Sequence, residues 1–316
     1  MMKRFIFNLF KFSVFTGLFY IIIISLWSWI MPPFMAKNVR NCIGCYGHLN
    51  TRVKEIPNYQ NIDILILGSS HAYRGFDTRI FKEYDLSIFN LGSSSQSPIQ
   101  TNILLSQYLD QLTPKLVILE VYAGTLEIDG VESSLDLAAN NKVDYNYLKT
   151  LPDLKNIQSL NSAIYGIFRE KLGLNKEFIE DSIQGSDQYI QGGYVETKFR
   201  KNSLIDEEKR AWRLNPTQLS YLKKNIQLLE SKHIPFILVQ TPITQKLYNH
   251  RTNHNEVDSL LSSLGRYKNF QGELDLNDTI DFYDSNHLNQ LAVKRFNEYF
   301  IEYLKKNNFI NNIITF

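Results

Sequence analysis

The sequence predicts an α/β fold: a mostly parallel sheet with helices on both faces, preceded by one transmembrane helix. Three observations carry this. Phe12 to Met31, FSVFTGLFYIIIISLWSWIM, runs about twenty residues without a charge, which as a helix reaches roughly 30 Å, the thickness of a bilayer's hydrocarbon core. Beyond it, short apolar runs recur, each ending in glycine or a small polar turn. Between those runs lie longer stretches with apolar residues at helical spacing, and strands alternating with helices imply an open parallel sheet buried on both sides.

Taken in order, residues 1–31 read as a cytoplasmic N-terminus and anchor. Lys3, Arg4 and Lys11 precede the apolar run, Lys37 and Arg40 follow it, and Trp27 and Trp29 sit near its end, where indoles favour the interface. A cleaved signal peptide is the competing reading. It requires a shorter apolar region and a small-x-small cleavage site, and MPPFMAKN favours the uncleaved anchor, with the remaining chain outside the cytoplasm. Residues 32–60, with Pro, Asn and Gly, read as a juxtamembrane linker. The domain proper is 61–316. NIDILILG is short, apolar and stopped by glycine, hence a buried strand. LSIFNLG (86–92) and LVILEV (116–121) read the same way. SPIQTNILLSQYLDQLTP (97–114) is a helix with a proline stop. NPTQLSYLKKNIQLLESKHIP (215–235) is another, with Asn215 as cap and Pro216 in the first turn, leading into the strand IPFILVQTP. TIDFYD (279–284) is the expected last strand, and NQLAVKRFNEYFIEYLKK (289–306) a closing amphipathic helix. Residues 123–214, rich in Asn, Asp, Tyr and Lys, break the rhythm. They read as an inserted cap with helices near 154–172 and 205–212.

The 316 residues suit one large domain with insertions or two small ones. A formal net charge of +2 provides no concentrated basic face, so no nucleic-acid partner is expected. The 18 Tyr and 20 Phe are expected chiefly in the core. Cys42-Ile43-Gly44-Cys45 lacks the histidine of a haem attachment site, since Tyr46 follows, and with His48 it still wants a fourth zinc ligand. A local disulfide or two idle thiols is expected, with no metal and no cofactor, because no phosphate-cradling loop is present either.

In such sheets ligands bind beyond the carboxyl ends of the strands. Gly68-Ser69-Ser70-His71, Asn90-Leu91-Gly92 and the stretch after Glu120-Val121-Tyr122 all fall on that rim. A serine hydroxyl attacks only when a base takes its proton and a third group orients the base. His287, in Asp284-Ser285-Asn286-His287, follows the expected last strand and is placed to reach the end of the first, with Asp284 three residues away to fold back onto the imidazole. His71 and Arg74 are candidates for substrate contact.

Gly68-Ser69-Ser70, Asn90-Leu91-Gly92-Ser93-Ser94-Ser95 and Asp284-x-x-His287, in that order, resemble the SGNH hydrolase superfamily of GDSL-like esterases and acyltransferases. The resemblance covers about residues 62–122 and 215–305. It implies a flavodoxin-like α/β/α sandwich, Ser70 as nucleophile, His287 as base and Asp284 as its orienting partner. It implies an oxyanion hole from the Ser70 N–H together with that of Ser95 or Gly92. With its anchor, the chain resembles the membrane-bound branch that includes teichoic-acid alanylation and alginate-type acetylation proteins. There the substrate is an envelope glycan, and a multi-span membrane acyltransferase is an expected partner. The family's third motif, Gly-x-Asn-Asp, supplies an Asn to the oxyanion hole. Here Tyr122-Ala123-Gly124-Thr125 stands in its place, and loss of one such donor costs roughly 10²–10³ in rate. The expectation is therefore an extracytoplasmic serine esterase or O-acyltransferase working through an acyl-enzyme, the alternative being a non-catalytic accessory or polysaccharide-binding protein with the same fold.

Overall fold

The computed structural model describes residues 1–199, 202 and 208–310. The helices α1 (Met2–Ile30) and α2 (Leu49–Glu55) lead, by a 3₁₀ turn at Ile56–Asn58, into β1 (Ile64–Leu67). Then come α3 (Ser70–Gly75), α4 (Thr78–Glu83), β2 (Ile88–Asn90), α5 (Pro98–Leu112), β3 (Leu116–Glu120) and α6 (Ala123–Glu127). The helices α7 (Val131–Asn140), α8 (Tyr145–Leu148), α9 (Leu151–Leu154) and α10 (Ile157–Lys171) follow. A small antiparallel sheet of β4 (Ile183–Gln184), β5 (Asp187–Ile190) and β6 (Tyr194–Thr197) comes next. The chain ends with α11 (Pro216–Ser231), β7 (Phe236–Gln240), α12 (Gln245–Asn249), α13 (His254–Leu264), β8 (Tyr267–Asn269) and α14 (Gln290–Lys306). These elements form two compact units, one of residues 1–43 and 134–179, the other of 44–133 and 180 onward.

The second unit is built on a five-stranded sheet in the order β2-β1-β3-β7-β8, every pairing parallel. Counted along the chain, its strands lie 2-1-3-4-5, the flavodoxin-like doubly wound order, whose switch point falls between β1 and β3. All four residues of β1 and all five of β3 are buried, as a sheet covered on both faces requires. Ile64, Ile66 and Ile118 face a cluster with Phe76, just past α3, Phe81 of α4, and Phe296 and Phe300 of α14. On the opposite face α5 and α11 close over Leu119, joined by a hydrogen bond from Asn102 to Asn225. Each buried Leu, Ile or Phe contributes roughly 1.5–3 kcal/mol. Asn215 caps α11 as its sequence indicates, accepting from the Thr217 N–H.

Two segments differ from the sequence reading. Residues 279–284 are not the last strand. Asn277 accepts the N–H groups of Thr279 and Ile280, and Asp281 accepts that of Asn277, so side chains hold the backbone in turns. The fifth strand is Tyr267–Asn269 instead, pairing with β7. Residues 44–58, within the stretch read as a linker, fold into the second unit. Arg52 of α2 is fully buried and donates twice to the Gly193 carbonyl, at 3.2 and 2.9 Å, while Glu55 accepts from Tyr189 and the Gly192 N–H. The helix expected near 205–212 falls partly outside the described residues, and Arg210 lies in a bridge to Arg251.

The first unit joins α1 to the helices of the insertion. One helix, Met2–Ile30, is long and apolar enough to cross a membrane. Its Ile24 packs with Val39 and Tyr165, and Tyr20 donates to Asn161 of α10. Arg169, also buried, donates from Nη2 to the Ala138 and Ala139 carbonyls. Cys42 and Cys45 form a disulfide.

Candidate active site

β1 delivers Gly68 to the carboxyl rim at the switch point. A Cβ there would lie 2.6 Å from the Glu120 Cβ, at a backbone φ of +150°, so only glycine lets β1 pass this close to the end of β3. Ser69 then caps α3, its hydroxyl accepting from the His71 N–H at 3.2 Å and donating to Glu120 Oε2 at 3.0 Å. Ser70 is the first residue of α3 and is half-buried. Asn90, fully buried at the end of β2, donates to the Ala72 carbonyl and accepts from the Gly92 N–H at 3.1 Å. It thereby fixes α3 against the neighbouring strand. Asn297 of α14 secures the other end of α3 by donating to the Gly75 carbonyl.

The loop before α14 comes to the same rim. Asp284 Oδ1 accepts the N–H groups of Asn286 (3.0 Å) and His287 (2.8 Å), curling the loop around its carboxylate. Thr244, after β7, donates its N–H and hydroxyl to the Ser285 carbonyl at 3.1 and 2.6 Å. The result is a linear array. His287 Nδ1 lies 2.9 Å from Asp284 Oδ2, and His287 Nε2 lies 2.7 Å from Ser70 Oγ. A carboxylate can only accept, so Nδ1 carries the proton and Nε2 is left to accept from the serine hydroxyl. Burial alone would raise the Asp284 carboxyl. The hydrogen bond and charge of His287 and the two backbone donors outweigh it and hold the group at about 2. The His287 ring is stacked on Tyr283, with centroids 5.3 Å apart, and approaches His71 at 4.8 Å.

Of the other residues singled out in the sequence, His71 is buried, with Nδ1 3.1 Å from Thr241 Oγ1 and its ring 4.2 Å from that of Tyr122. Burial first, and the charge of His287 second, push its imidazole well below the usual histidine range, so it sits under the triad as a neutral ring. Arg74 forms a two-point pair with Asp187 of β5, at 3.0 and 2.7 Å. Its guanidinium therefore binds the small sheet to α3. The Gly92 N–H is occupied by Asn90. That of Ser95, a residue with φ +49°, has no acceptor among the described residues, as has that of Ser70, in the first turn of its helix. After β3, Tyr122 lies flat on His71 and edge-on to Trp212.

Glu120 was not foreseen as a site residue. It is buried beneath the serine turn and accepts three hydrogen bonds, from the Ser69 N–H and hydroxyl and from the Tyr122 N–H. Burial nevertheless raises its carboxyl to about 7. The signal was present in the sequence, as an acid closing the apolar run LVILE at a strand's carboxyl end. No protein-family model matches the chain, and no curated protein matches it.

Proposed function

We propose that the protein is a membrane-anchored serine esterase or O-acyltransferase of SGNH type, with its catalytic unit on the extracytoplasmic side. The supporting observation is the Ser70–His287–Asp284 array, with a 2.7 Å contact between hydroxyl and imidazole. His287 takes the Ser70 proton as the oxygen attacks an ester carbonyl. Asp284 holds the ring in the required tautomer and steadies the imidazolium. The N–H groups of Ser70 and Ser95 serve the oxyanion. Collapse of the tetrahedral adduct expels the alcohol, protonated by His287, and leaves an acyl-serine. A water then yields acid, or an acceptor hydroxyl yields a new ester, with the serine proton restored. The anchor directs the reading of the acceptor toward an envelope glycan, with a multi-span membrane acyltransferase as a source of acyl groups.

A second reading, a binding or accessory protein that keeps the fold, is favoured by Tyr122 standing where an oxyanion asparagine belongs. A fluorophosphonate probe applied to the full chain separates the two. The enzyme reading requires covalent labelling of the wild type that disappears in Ser70→Ala and falls sharply in His287→Ala. An unlabelled, folded wild type supports the binding protein.

A further inference from the structure

His71 follows Ser70 in the chain yet takes no part in the proton path described above. Its Nδ1 is engaged with Thr241 Oγ1, at 3.1 Å, and its Nε2 is buried with no hydrogen-bond partner. Two tautomers are open to such a ring. A buried N–H left without an acceptor is rarer than a buried lone pair left without a donor. Nδ1 therefore donates to Thr241, and Nε2 is bare. That single bond fixes the rotation of the ring about its Cβ–Cγ axis.

Packing fixes the rest. His71 belongs to a run of ring contacts across the carboxyl rim of the sheet. Tyr283 meets His287 with centroids 5.3 Å apart, His287 meets His71 at 4.8 Å and a tilt of 36°, His71 meets Tyr122 at 4.2 Å, and Tyr122 meets Trp212 at 5.6 Å. Trp212 in turn carries the guanidinium of buried Arg251, 4.8 Å from its ring centroid. The ring that touches His287 is thus held by three neighbours outside the triad.

In the proposed reaction a positive charge arrives on His287 as Ser70 gives up its proton. The groups facing that ring are Asp284 and Tyr283 of its own loop, with Ser70 and His71 from α3. Arg74, also of α3, borders with His287 a cavity of about 10 Å³, no more than one water's worth, and its charge is met by Asp187. Asp284 serves only the Nδ1 edge of the imidazole. Two imidazoles this close do not both carry a charge, and burial keeps His71 the neutral one. A neutral ring within about 6 Å of a cation attracts it through its π electrons, more strongly where water is excluded.

We propose that His71 is a positioning residue for the reaction: locked by Thr241 and Tyr122, its ring fixes the orientation of the His287 imidazole and supports the imidazolium that forms there. The inference rests on the Ser70–His287–Asp284 reading and adds to it the group that acts on the ring rather than on its edge.

The test takes the full chain in detergent micelles. The fluorophosphonate labelling rate is measured from pH 5 to 9, and the Cε1–H resonance of His287, identified by its loss in His287→Gln, is titrated over the same range. Glu120 is common to all the proteins compared and cancels. His71→Leu fills the space without a π face. It is expected to slow labelling about fivefold or more and to move the His287 midpoint downward by about half a pH unit or more, the sign that follows when the charged form loses support. His71→Phe, a ring that does not titrate, is expected to restore both. Thr241→Val keeps the ring and removes its lock, and is expected to move both readouts in the same direction by less. A packing role alone lowers the melting temperature and leaves the midpoint in place. An unshifted or raised midpoint in folded His71→Leu, or His71→Phe as slow as His71→Leu, overturns the proposal while a labelled wild type keeps the triad. If His71→Leu does not fold, an unshifted midpoint in Thr241→Val overturns it. A wild type left unlabelled removes the enzyme reading and the proposal with it.

Discussion

Glu120 holds Ser69 by two hydrogen bonds to one carboxylate oxygen, its N–H at 3.2 Å and its hydroxyl at 3.0 Å. Ser69 is both the residue before Ser70, the proposed nucleophile, and the cap of the helix that Ser70 begins. The stiffness of the Ser70 position is thus referred to an acid buried between β1 and β3.

That acid makes stability pH-dependent with a definite sign. Its folded value, about 7, lies above the ordinary 4.5. The folded state then holds more protons than the unfolded one between those values, and stability falls as pH rises through that window, by on the order of 3 kcal/mol. Glu120→Gln keeps an acceptor for Ser69 and removes the titration. Urea unfolding at pH 5 and pH 8 is expected to show this loss in the wild type and a flatter profile in the variant. An equally steep profile in Glu120→Gln contradicts the assignment.

On the proposed mechanism, Asp284 acts through His287, whose Nδ1 it holds at 2.9 Å. In Asp284→Asn the carboxamide can present an N–H to Nδ1 and favour the wrong tautomer, with the Ser70–His287 distance little changed. The fluorophosphonate labelling rate is expected to drop roughly 10²–10⁴-fold while the melting temperature shifts by a few degrees at most. Equal labelling rates in the two proteins would remove Asp284 from the proton path.

Gly68→Ala introduces a Cβ 2.6 Å from that of Glu120. Neither strand end can retreat without breaking the Ser69 contacts. A loss of about 2–4 kcal/mol in stability is expected, together with loss of probe labelling in whatever remains folded. Thermal melts and labelling of the soluble fraction measure the two effects separately.

Arg74 distinguishes a structural role from a substrate role. Its pair with Asp187 is 16% and 20% exposed on the two sides, so Arg74→Ala leaves a largely buried carboxylate without its partner. A stability loss of about 1–3 kcal/mol is expected, with KM for a small ester unchanged. A KM raised tenfold with stability intact would return Arg74 to the substrate.

The sheet was legible because its strands are buried on both faces and read as continuous apolar runs, as in ILIL and LVILE. β8 was not, since its residues Tyr267, Lys268 and Asn269 are only half-buried at the sheet edge and carry no apolar period. The expected strand at 279–284 failed for the converse reason. Its apolar residues are real, but Asn277 and Asp281 capture the local N–H groups first. Ser70, Asp284 and His287 were readable as residue types at strand ends, because polar side chains there have few structural duties. The commitments of Arg74 and Gly92 were not. They depend on Asp187 and Asn90, partners that only the folded chain brings near. The two-unit division was hidden too, because residues 134–179 and 180–199 look alike in composition while packing with different elements.

Ser70 and His287 are 217 positions apart along the chain, and the fold brings them together only when α14's leading loop docks. A ribosome or translocation channel delivers Ser70 long before His287. For most of its emergence the growing polypeptide carries a serine without its imidazole partner, and on the proposed reading reactivity arrives in a single late step, when that loop docks.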